Sequence, residues 1–227
     1  MDESFAIRKA WTFLKEEVRL RGSTGAALRT LPDGRKVVVK RGGGAGGDRA
    51  AHIRNEFDMN RYLHELGVGV PDAKMTEESN RPTMLTEWEE GARPAEYSDK
   101  GVLREDFVPN VLIGNWDVLG QEMDNTLIRP DGTPTYVDVG GAGPFRAQGA
   151  PKGTKWGQDP LMDLGTMQFL APHTSEVYGN MSEEELGQSY DKYGGVDAMT
   201  DASSVITNPQ TQNIIQQRAE NLARRVA

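Results

Sequence analysis

The stretch from Gly114 to Gly141 concentrates carboxylates and amides beside two short runs of strand-forming residues. Asp117 precedes the first run, Asn125 begins it and Asp138 ends the second. A Pro-Asp-Gly turn between the runs predicts a hairpin that brings these ends together. Phosphoryl transfer needs one carboxylate to orient the attacking hydroxyl, and an amide with a second carboxylate to hold a divalent metal. The alternative is a surface hairpin in which Asn and Asp only form turns.

The N-terminal half holds residues that could bind nucleotide phosphates. A tight turn precedes a predicted strand, Arg35–Lys40, and a predicted helix from Asp48 to Leu66 carries Glu56 on its apolar face. A buried carboxylate needs a cation, so we expect Glu56 to hold Lys40. The backbone amides of an upstream turn could approach phosphate oxygens, and that turn comprises Gly22, Ser23, Thr24 and Gly25. Each feature alone has an ordinary alternative, such as a solvated lysine at the end of an edge strand.

These motifs resemble known families. The run "VVVKR", with Glu56 sixteen positions after Lys40, resembles the VAIK strand and αC glutamate of protein kinases. The segment "IGNWDVLGQEMDNTLI", followed by "TYVDVGG", is similar to the catalytic segment of atypical kinases related to type II phosphatidylinositol 4-kinases, actin-fragmin kinase and HipA-type toxin kinases. With "STGA" and "GGAGPFRAQGAPKG", it resembles a kinase-like domain of bacterial and phage proteins over residues 20–157.

The resemblance implies a fold and a pair of cofactors. The expected fold is α+β, a two-lobed minimal protein-kinase-like unit. Residues 1–90 would form a small, β-rich N-lobe with one key helix that clamps the nucleotide. Residues 91–227 would form a mostly helical, catalytic C-lobe, and the last helix fits the resemblance weakly. The expected cofactors are ATP and Mg²⁺.

The resemblance also implies roles for individual residues. Asp117 would be the catalytic base, and Asn125 and Asp138 would hold the magnesium ion. Lys40, held by Glu56, would anchor the phosphates beside the glycine turn. The adenine-binding hinge would be formed by Thr86, Glu87 and Trp88.

The spacing of the catalytic segment departs from the kinase pattern. Asn125 follows Asp117 by eight positions, whereas the corresponding residues of protein kinases are about five apart. The extra residues, around Gly120 to Met123, must therefore bulge. A competing assignment places Asp124 nearer the chemistry and makes Asp117 structural. The N-W-D context of Asp117 matches the relatives and favours Asp117.

Other polar residues have two interpretations each. Asp159 and Asp163 could be further metal ligands, but the proline between them and the helical spacing favour a structural role at a helix start. Arg146, Lys152 and Lys155 follow Asp138 where a kinase has its activation segment. They could contact an acidic peptide or a phosphate, although a solvated basic loop is favoured.

The histidines are not expected to take part in catalysis. The histidine of the kinase H-R-D motif is absent, and His52, His64 and His173 all lie away from the catalytic segment in sequence. We expect His64 to lie on a helix surface.

Periodicity predicts the remaining elements. Residues 5–18 predict an amphipathic helix, and "RGGGAGGD" is interpreted as a flexible connection. Leu103, Phe107 and Val111 predict a helix that Pro109 kinks or restarts. The C-terminal part is predicted to be mostly helical, over "DPLMDLGTMQFLA", "SEEELGQSYDKY" and "NIIQQRAENLARRV". Ser182 and Glu185 form a predicted capping box, and the apolar stripe of the last helix is expected to contain Ile215, Ala219, Leu222 and Val226.

Composition limits the classes of function. The net charge of -8 argues against general affinity for nucleic acid, although a local basic patch could exist at the C-terminal "RRVA". The absence of cysteine excludes thiolate chemistry and fits a reducing cytosol. No run is long and apolar enough to span a membrane, so we expect a soluble, cytoplasmic protein, which could be delivered into a host cell.

The leading hypothesis is an ATP- and Mg²⁺-dependent kinase that acts on a Ser, Thr or Tyr hydroxyl of a protein, as a bacterial or phage effector or toxin. The first alternative keeps the fold and changes the chemistry, to AMP transfer or to phosphorylation of a lipid or small molecule. The second is a non-catalytic pseudokinase that binds partners. The sequence leaves the oligomeric state open.

Overall fold

The N-terminal part of the protein is built on an antiparallel sheet. The structure is a computed structural model, and it describes residues 17–20, 25–43, 47–157 and 159–226. The strands pair in the order β1-β2-β3-β5-β4. They are β1 Val18–Arg19, β2 Ala27–Thr30, β3 Lys36–Lys40, β4 Ala73–Glu78 and β5 Arg81–Glu87. The predicted strand that ends in Lys40 is confirmed, and it pairs with β2 and β5.

Helix α1, Arg49–Glu65, confirms the helix predicted from Asp48 to Leu66, and it packs against this sheet. Asp48 begins it by accepting hydrogen bonds from the backbone amides of Ala50 and Ala51, which satisfies donors that lack partners in the helix. The face of the helix that contains Ile53, Met59 and Leu63 is buried. Glu56 lies on the same buried side, so the predicted inward-facing carboxylate is present.

Two glycines between β3 and α1, Gly43 and Gly47, pack closely against the loop that follows Asp138. A Cβ atom at Gly43 would lie 2.4 Å from the carbonyl oxygen of Gln148, and one at Gly47 would lie 2.3 Å from that of Gly149. Any side chain at these positions would collide with backbone. Residues 44–46 of "RGGGAGGD", the predicted flexible connection, lie outside the described residues. Gly43 and Gly47 also meet a second requirement, which is close approach to the backbone of another segment.

The C-terminal part is mostly helical, with a smaller sheet at its junction with the N-terminal part. The smaller sheet pairs β6 Arg93–Pro94, β7 Thr126–Ile128 and β8 Pro134–Tyr136 in that order. The helices are α2 Lys100–Glu105, α3 Phe107–Leu112, α4 Leu161–Phe169, α5 Pro172–Tyr178, α6 Glu183–Asp191, α7 Gly195–Ala202 and α8 Pro209–Val226. This α+β arrangement confirms the predicted fold class. The division of the chain near residue 90 stays a prediction.

Several predicted helices are confirmed and others need correction. Ser182 and Glu185 form the predicted capping box of α6, and Ile215, Ala219 and Leu222 line the buried face of α8. Helices α5 and α7 have no counterpart among the helices expected from the sequence. Residues 5–16 of the predicted N-terminal helix lie outside the described residues, and its last residue, Val18, belongs to a strand.

The helix predicted from Leu103 to Val111 is interrupted at Asp106 instead of at Pro109. Pro109 is the third residue of α3, where its missing N–H requires no partner. The buried Asp106 carboxylate accepts hydrogen bonds from Lys192 and Tyr193, which join the break to the end of α6. Among the described residues, no helix is long and apolar enough to cross a membrane.

A buried ion pair joins α4 to α8. Arg218 is fully buried, and its guanidinium lies 2.5 Å from the Asp163 carboxylate. The same guanidinium donates to the carbonyl oxygens of Leu112 and Val111 at 2.6 and 2.8 Å. The pair therefore anchors the end of α3, and with it the start of the catalytic segment, to the helical core.

Replacement of Asp163 by alanine is expected to lower the free energy of unfolding by about 3–5 kcal/mol, because it leaves a buried guanidinium without its counter-charge. Urea denaturation followed by circular dichroism measures this loss. Asp33→Ala is the control, because Asp33 pairs with Arg35 at the exposed surface, where solvent screens the interaction. Equal midpoints for Asp163→Ala and the parent protein would contradict the structural role of the pair.

Candidate active site

A cavity of about 810 Å³ lies between the large sheet and the helical part. Lys40, Asp117, Asn125 and Asp138 all line it, although they are far apart in sequence. The predicted hinge residues Thr86, Glu87 and Trp88 line the same cavity. The structure therefore brings together the predicted phosphate, metal, catalytic and hinge residues around one space.

Lys40 is buried at the end of β3 and directed towards the carboxylates. Its Nζ lies 2.5 Å from Glu56 Oε1 and donates to the carbonyl oxygen of Val137 at 2.7 Å. Asp138 Oδ1 lies 3.7 Å from the same nitrogen. Burial by itself would lower the pKa of Lys40, but Asp138 and Glu56 outweigh it and raise that pKa. The lysine therefore keeps its positive charge at neutral pH.

Asp138 follows β8 and is about one-third exposed to the cavity. The second predicted strand ends at Asp138, whereas β8 ends at Tyr136, so Asp138 lies on the connection beyond the strand. The backbone N–H of Gly140 donates to Asp138 Oδ1 at 3.0 Å. This hydrogen bond holds Oδ1, the carboxylate oxygen that also lies 3.7 Å from Lys40 Nζ.

Asp117 and Asn125 are in direct contact. Asn125 Nδ2 donates to the Asp117 carbonyl oxygen at 2.7 Å and to its Oδ2 at 3.2 Å. Burial raises the pKa of Asp117 to about 6, and the negative charge of Asp138 adds to this effect, against the hydrogen bond from Asn125. A carboxylate with such a pKa is ionised at neutral pH and can also accept a proton.

The predicted bulge in the catalytic segment is present. The backbone N–H of Asn125 donates to the carbonyl oxygen of Leu119 at 3.2 Å, so the residues between them loop out. Gly120 has a φ of +74°, and a Cβ there would lie 2.6 Å from Asp124 Oδ1. The loop thereby returns Asn125 to Asp117. Asp124 also lines the cavity but is exposed, whereas Asp117 is partly buried.

The predicted glycine turn lies only partly within the described residues. Gly22, Ser23 and Thr24 lie outside the described residues, and Gly25 has a φ of +74°. The flanking residues Leu20 and Ala26 both line the cavity. The backbone N–H of Leu20 donates to the carbonyl oxygen of Ala26 at 2.9 Å.

The basic residues after Asp138 do not behave alike. Arg146 and Lys155 are exposed, as expected of a solvated loop. Lys152 is buried, and its Nζ donates to the carbonyl oxygens of Gly114 and Gly143 at 2.5 and 2.8 Å. Both sequence-based interpretations of Lys152, solvation and substrate contact, are therefore wrong.

Lys152 instead joins the loop after Asp138 to the catalytic segment. Its Nζ lies 4.5 Å from the ring centroid of Trp116 and 5.5 Å from that of Trp156. Burial lowers its pKa to about 7, and Arg218 and Arg146 act in the same direction, against Asp163. The amine hydrogen bonds therefore connect two loops that border the cavity.

The preferred structural interpretation of Asp159 and Asp163 is supported by their contacts. Asp159 Oδ1 accepts a hydrogen bond from the backbone amide of Leu161 at the start of α4. Asp163 accepts one from Trp116 Nε1 in addition to its pairing with Arg218.

Sequence reasoning missed two residues that position the cavity walls. Glu89 receives two hydrogen bonds from Arg129, at 2.9 and 2.7 Å, and so joins the segment after the predicted hinge to the β7–β8 hairpin. No local pattern in "EWEEG" separates Glu89 from its acidic neighbours. His52, which lies away from the catalytic segment in sequence, is hydrogen bonded to Gly140 in the fold. His64 is exposed, as predicted.

The residues present fit a magnesium ion bound together with phosphates. Among the described residues, no cluster of three or more acidic, histidine or cysteine side chains could hold a metal alone. Asn125 and Asp138 offer oxygen ligands on adjoining segments, because the backbone amide of Val137 donates to the carbonyl oxygen of Asn125 at 3.0 Å. Magnesium commonly takes one or two carboxylates and completes its shell with water and substrate phosphates.

Comparisons with known proteins support this description of the fold. No protein-family model and no curated protein matches the sequence. The Helicobacter pylori proinflammatory kinase CtkA is similar in structure, with a TM-score of 0.55 and 9% identity, over 94% of this chain and 95% of that one. The protein has a protein-kinase-like fold.

Two further solved structures are similar at lower scores. Choline kinase LicA from Streptococcus pneumoniae has a TM-score of 0.45 and 13% identity, over 99% of both chains. An aminoglycoside phosphotransferase from Alicyclobacillus acidocaldarius has a TM-score of 0.41 and 12% identity, over 100% of this chain and 96% of that one.

We expect Asp117 to titrate near pH 6 in the protein without nucleotide, because burial and Asp138 both disfavour its charged form. Carboxyl-detected NMR over pH 3–8 measures this pKa, and the signal is assigned by its loss in Asp117→Asn. Asp138→Asn should shift the titration to lower pH, because it removes a nearby negative charge. Asp131, an exposed turn residue whose hydrogen bonds with Thr133 lower its pKa, is the internal control. A titration of Asp117 below pH 4 would contradict the assignment.

Proposed function

We propose that the protein is an ATP- and Mg²⁺-dependent phosphotransferase that phosphorylates a Ser, Thr or Tyr hydroxyl of a protein. The observation that carries this proposal is the position of Lys40, which is held by Glu56 and faces Asp138 within the cavity that Asp117 and Asn125 also line. Phosphoryl transfer depends mainly on positioning and charge stabilisation, and this arrangement supplies an anchored cation beside a set of oxygen ligands.

Lys40 provides the fixed positive charge for the α and β phosphates. Glu56 and the Val137 carbonyl orient its ammonium group, so little conformational freedom is lost when the phosphates bind. Asn125 and Asp138 would hold magnesium, which when bound neutralises charge on the phosphates. Glu87 and Trp88, which line the same cavity, would contact the adenine, and Gly22 to Gly25 would cover the phosphates.

Asp117 orients the acceptor hydroxyl and accepts its proton. Its pKa of about 6 leaves it ionised at neutral pH, yet closer to the working pH than that of an exposed aspartate. Asn125 holds Asp117 in place, because its Nδ2 donates hydrogen bonds to both the backbone carbonyl oxygen and the carboxylate Oδ2 of Asp117. These contacts favour Asp117 over the exposed Asp124 as the base.

Exposed apolar side chains beside the cavity favour a protein as the acceptor of the phosphoryl group. Leu161, Met162, Phe169 and Leu170 at α4 are between 41% and 68% exposed, which is unusual for a group of large apolar side chains. Leu170 also lines the cavity, so this group of exposed apolar side chains reaches the edge of the proposed site. A folded protein or peptide could cover both, whereas a small acceptor would occupy the cavity alone.

The proposed setting is the cytoplasm of a bacterial or host cell, where the protein would act as an effector or toxin. The resemblance to kinase-like domains of bacterial and phage proteins supports this setting, and the name of the structurally similar CtkA, a proinflammatory kinase, is consistent with it.

Incubation with host lysate and ATP labelled at the γ or the α phosphate tests the proposed reaction. Transfer of the γ label to protein is expected, and Asp138→Ala should reduce it by roughly 100-fold or more. Loss of metal-assisted charge stabilisation is worth several kcal/mol, and each 1.4 kcal/mol corresponds to about a tenfold change in rate. Asp131→Ala, in the turn of the same hairpin, is the matched control and should retain the parent's activity.

The other outcomes identify the competing functions. Transfer of the α label would indicate nucleotidyl transfer in place of phosphoryl transfer. Full activity of Asp138→Ala would contradict the proposed metal site. If MgATP transferred no label and did not raise the melting temperature, a non-catalytic binding module would be favoured, because a bound ligand stabilises the folded state.

A further inference from the structure

His52 is buried at the meeting point of the N-terminal sheet, α1 and the loop after Asp138. It lies in the first turn of α1, four positions before Glu56, so both side chains project from the same side of the helix. Its side chain is completely buried. The Phe145 ring packs against it with a centroid distance of 5.3 Å and an interplanar angle of 60°.

Both ring nitrogens of His52 are used. The backbone N–H of Gly43 donates to Nδ1 at 2.8 Å, so Nδ1 must carry a lone pair. Nε2 lies 2.8 Å from the Gly140 carbonyl oxygen, which only accepts, so Nε2 must carry the proton and donate. The two partners therefore select one neutral tautomer and one ring orientation.

The hydrogen bond to Gly140 continues to the proposed metal ligand. Gly140 receives the His52 bond at its carbonyl and donates its own N–H to Asp138 Oδ1 at 3.0 Å. This places a single backbone residue between the imidazole and the carboxylate. Movement of Gly140 would therefore move Asp138, whose Oδ1 lies 3.7 Å from Lys40.

The space around Gly140 shows how closely these groups converge. A Cβ atom there would lie 3.1 Å from Asp138 Oδ1, 3.2 Å from Glu56 Oε2 and 3.3 Å from His52 Nε2. On the other side of the imidazole, a Cβ at Gly149 would lie 3.2 Å from Nδ1. The absence of side chains at both glycines allows the imidazole to bridge the two segments.

We propose that His52 is a positioning residue that orients Asp138, through the Gly140 backbone, for metal binding. The inference rests on the proposed function, because it assigns His52 to the same metal site. It goes further by giving a role to a residue outside the catalytic segment, 88 positions from its hydrogen-bond partner Gly140. Groups that hold a metal ligand in place typically change metal affinity by about 10–100-fold when they are removed.

Two substitutions test separately the hydrogen bonds that His52 makes with Gly43 and with Gly140. In His52→Asn, the side-chain amide reaches about as far as Nδ1, so it can accept from Gly43 but cannot reach Gly140. In His52→Gln, the amide reaches about as far as Nε2, so it can still donate to Gly140. His64→Gln, at an exposed position of the same helix, is the matched control.

The measured quantity is the Mg²⁺ concentration that gives half of the melting-temperature increase in saturating ATP. This quantity requires no phosphoryl transfer, and a residue that only fills the core would leave it unchanged. We expect the midpoint to rise about tenfold or more in His52→Asn and to stay near the parent value in His52→Gln and His64→Gln. Equal midpoints in His52→Asn and the parent would overturn the proposal, even if the variant melts at a lower temperature without ligand.

The glutamine variant also tests the proposal by itself, should the asparagine variant fail to fold. A raised Mg²⁺ midpoint in a folded His52→Gln protein would overturn the role of the Gly140 hydrogen bond, and an unchanged midpoint would support it. A parent protein whose melting temperature in ATP does not respond to Mg²⁺ would contradict the proposed function and this inference together. A responsive parent with an unaltered His52→Asn variant would contradict only the inference.

Discussion

The buried contact between Lys40 and Glu56 sets the geometry of the cavity. An ammonium group and a carboxylate are costly to remove from water, and they are tolerated only when each is paired and hydrogen bonded. Satisfying Lys40 therefore requires β3, α1 and the connection after β8 to meet at one point, with Nζ at 2.5 Å from Glu56 and 2.7 Å from the Val137 carbonyl. Once these elements meet, Asp138 follows directly beside the lysine.

The loop after Asp138 is held from both parts of the molecule. On the N-terminal side, His52 contacts Gly140, and Gly43 and Gly149 allow the backbones to approach closely. On the C-terminal side, the buried Lys152 binds the carbonyls of Gly114 and Gly143. No serine, threonine or tyrosine occurs from Val139 to Gly153. The order of this loop therefore rests on buried contacts, and a phosphate added within it is not needed to explain its position.

The protein-kinase-like fold and the candidate chemistry rest on different observations. The fold is shown by the arrangement of sheet and helices and by its similarity to a solved kinase structure. Folds of this kind can support several reactions, so the chemistry has to be argued from the site itself. Here the proposed chemistry rests on the anchored lysine, the raised pKa of Asp117 and the oxygen ligands, together with exposed apolar side chains beside the cavity.

The sequence by itself determined the elements whose signals are local. Periodicity and capping residues predicted α1, α6 and α8 closely, and the types and order of Lys40, Glu56, Asp117, Asn125 and Asp138 indicated a shared site. Such signals extend over a short stretch of sequence, and they can therefore be interpreted without knowledge of the fold. The bulge around Gly120 was predictable for the same reason, because it is a matter of residue count.

Only the tertiary structure decided which polar residues are buried and what they contact. Lys152 resembles any loop lysine in sequence, and His52 resembles a helix histidine, yet their partners lie 38 and 88 positions away. The break at Asp106 also depends on distant residues, Lys192 and Tyr193, at the end of α6. Burial changes the electrostatic energy and pKa of a side chain, and burial is a property of the assembled chain.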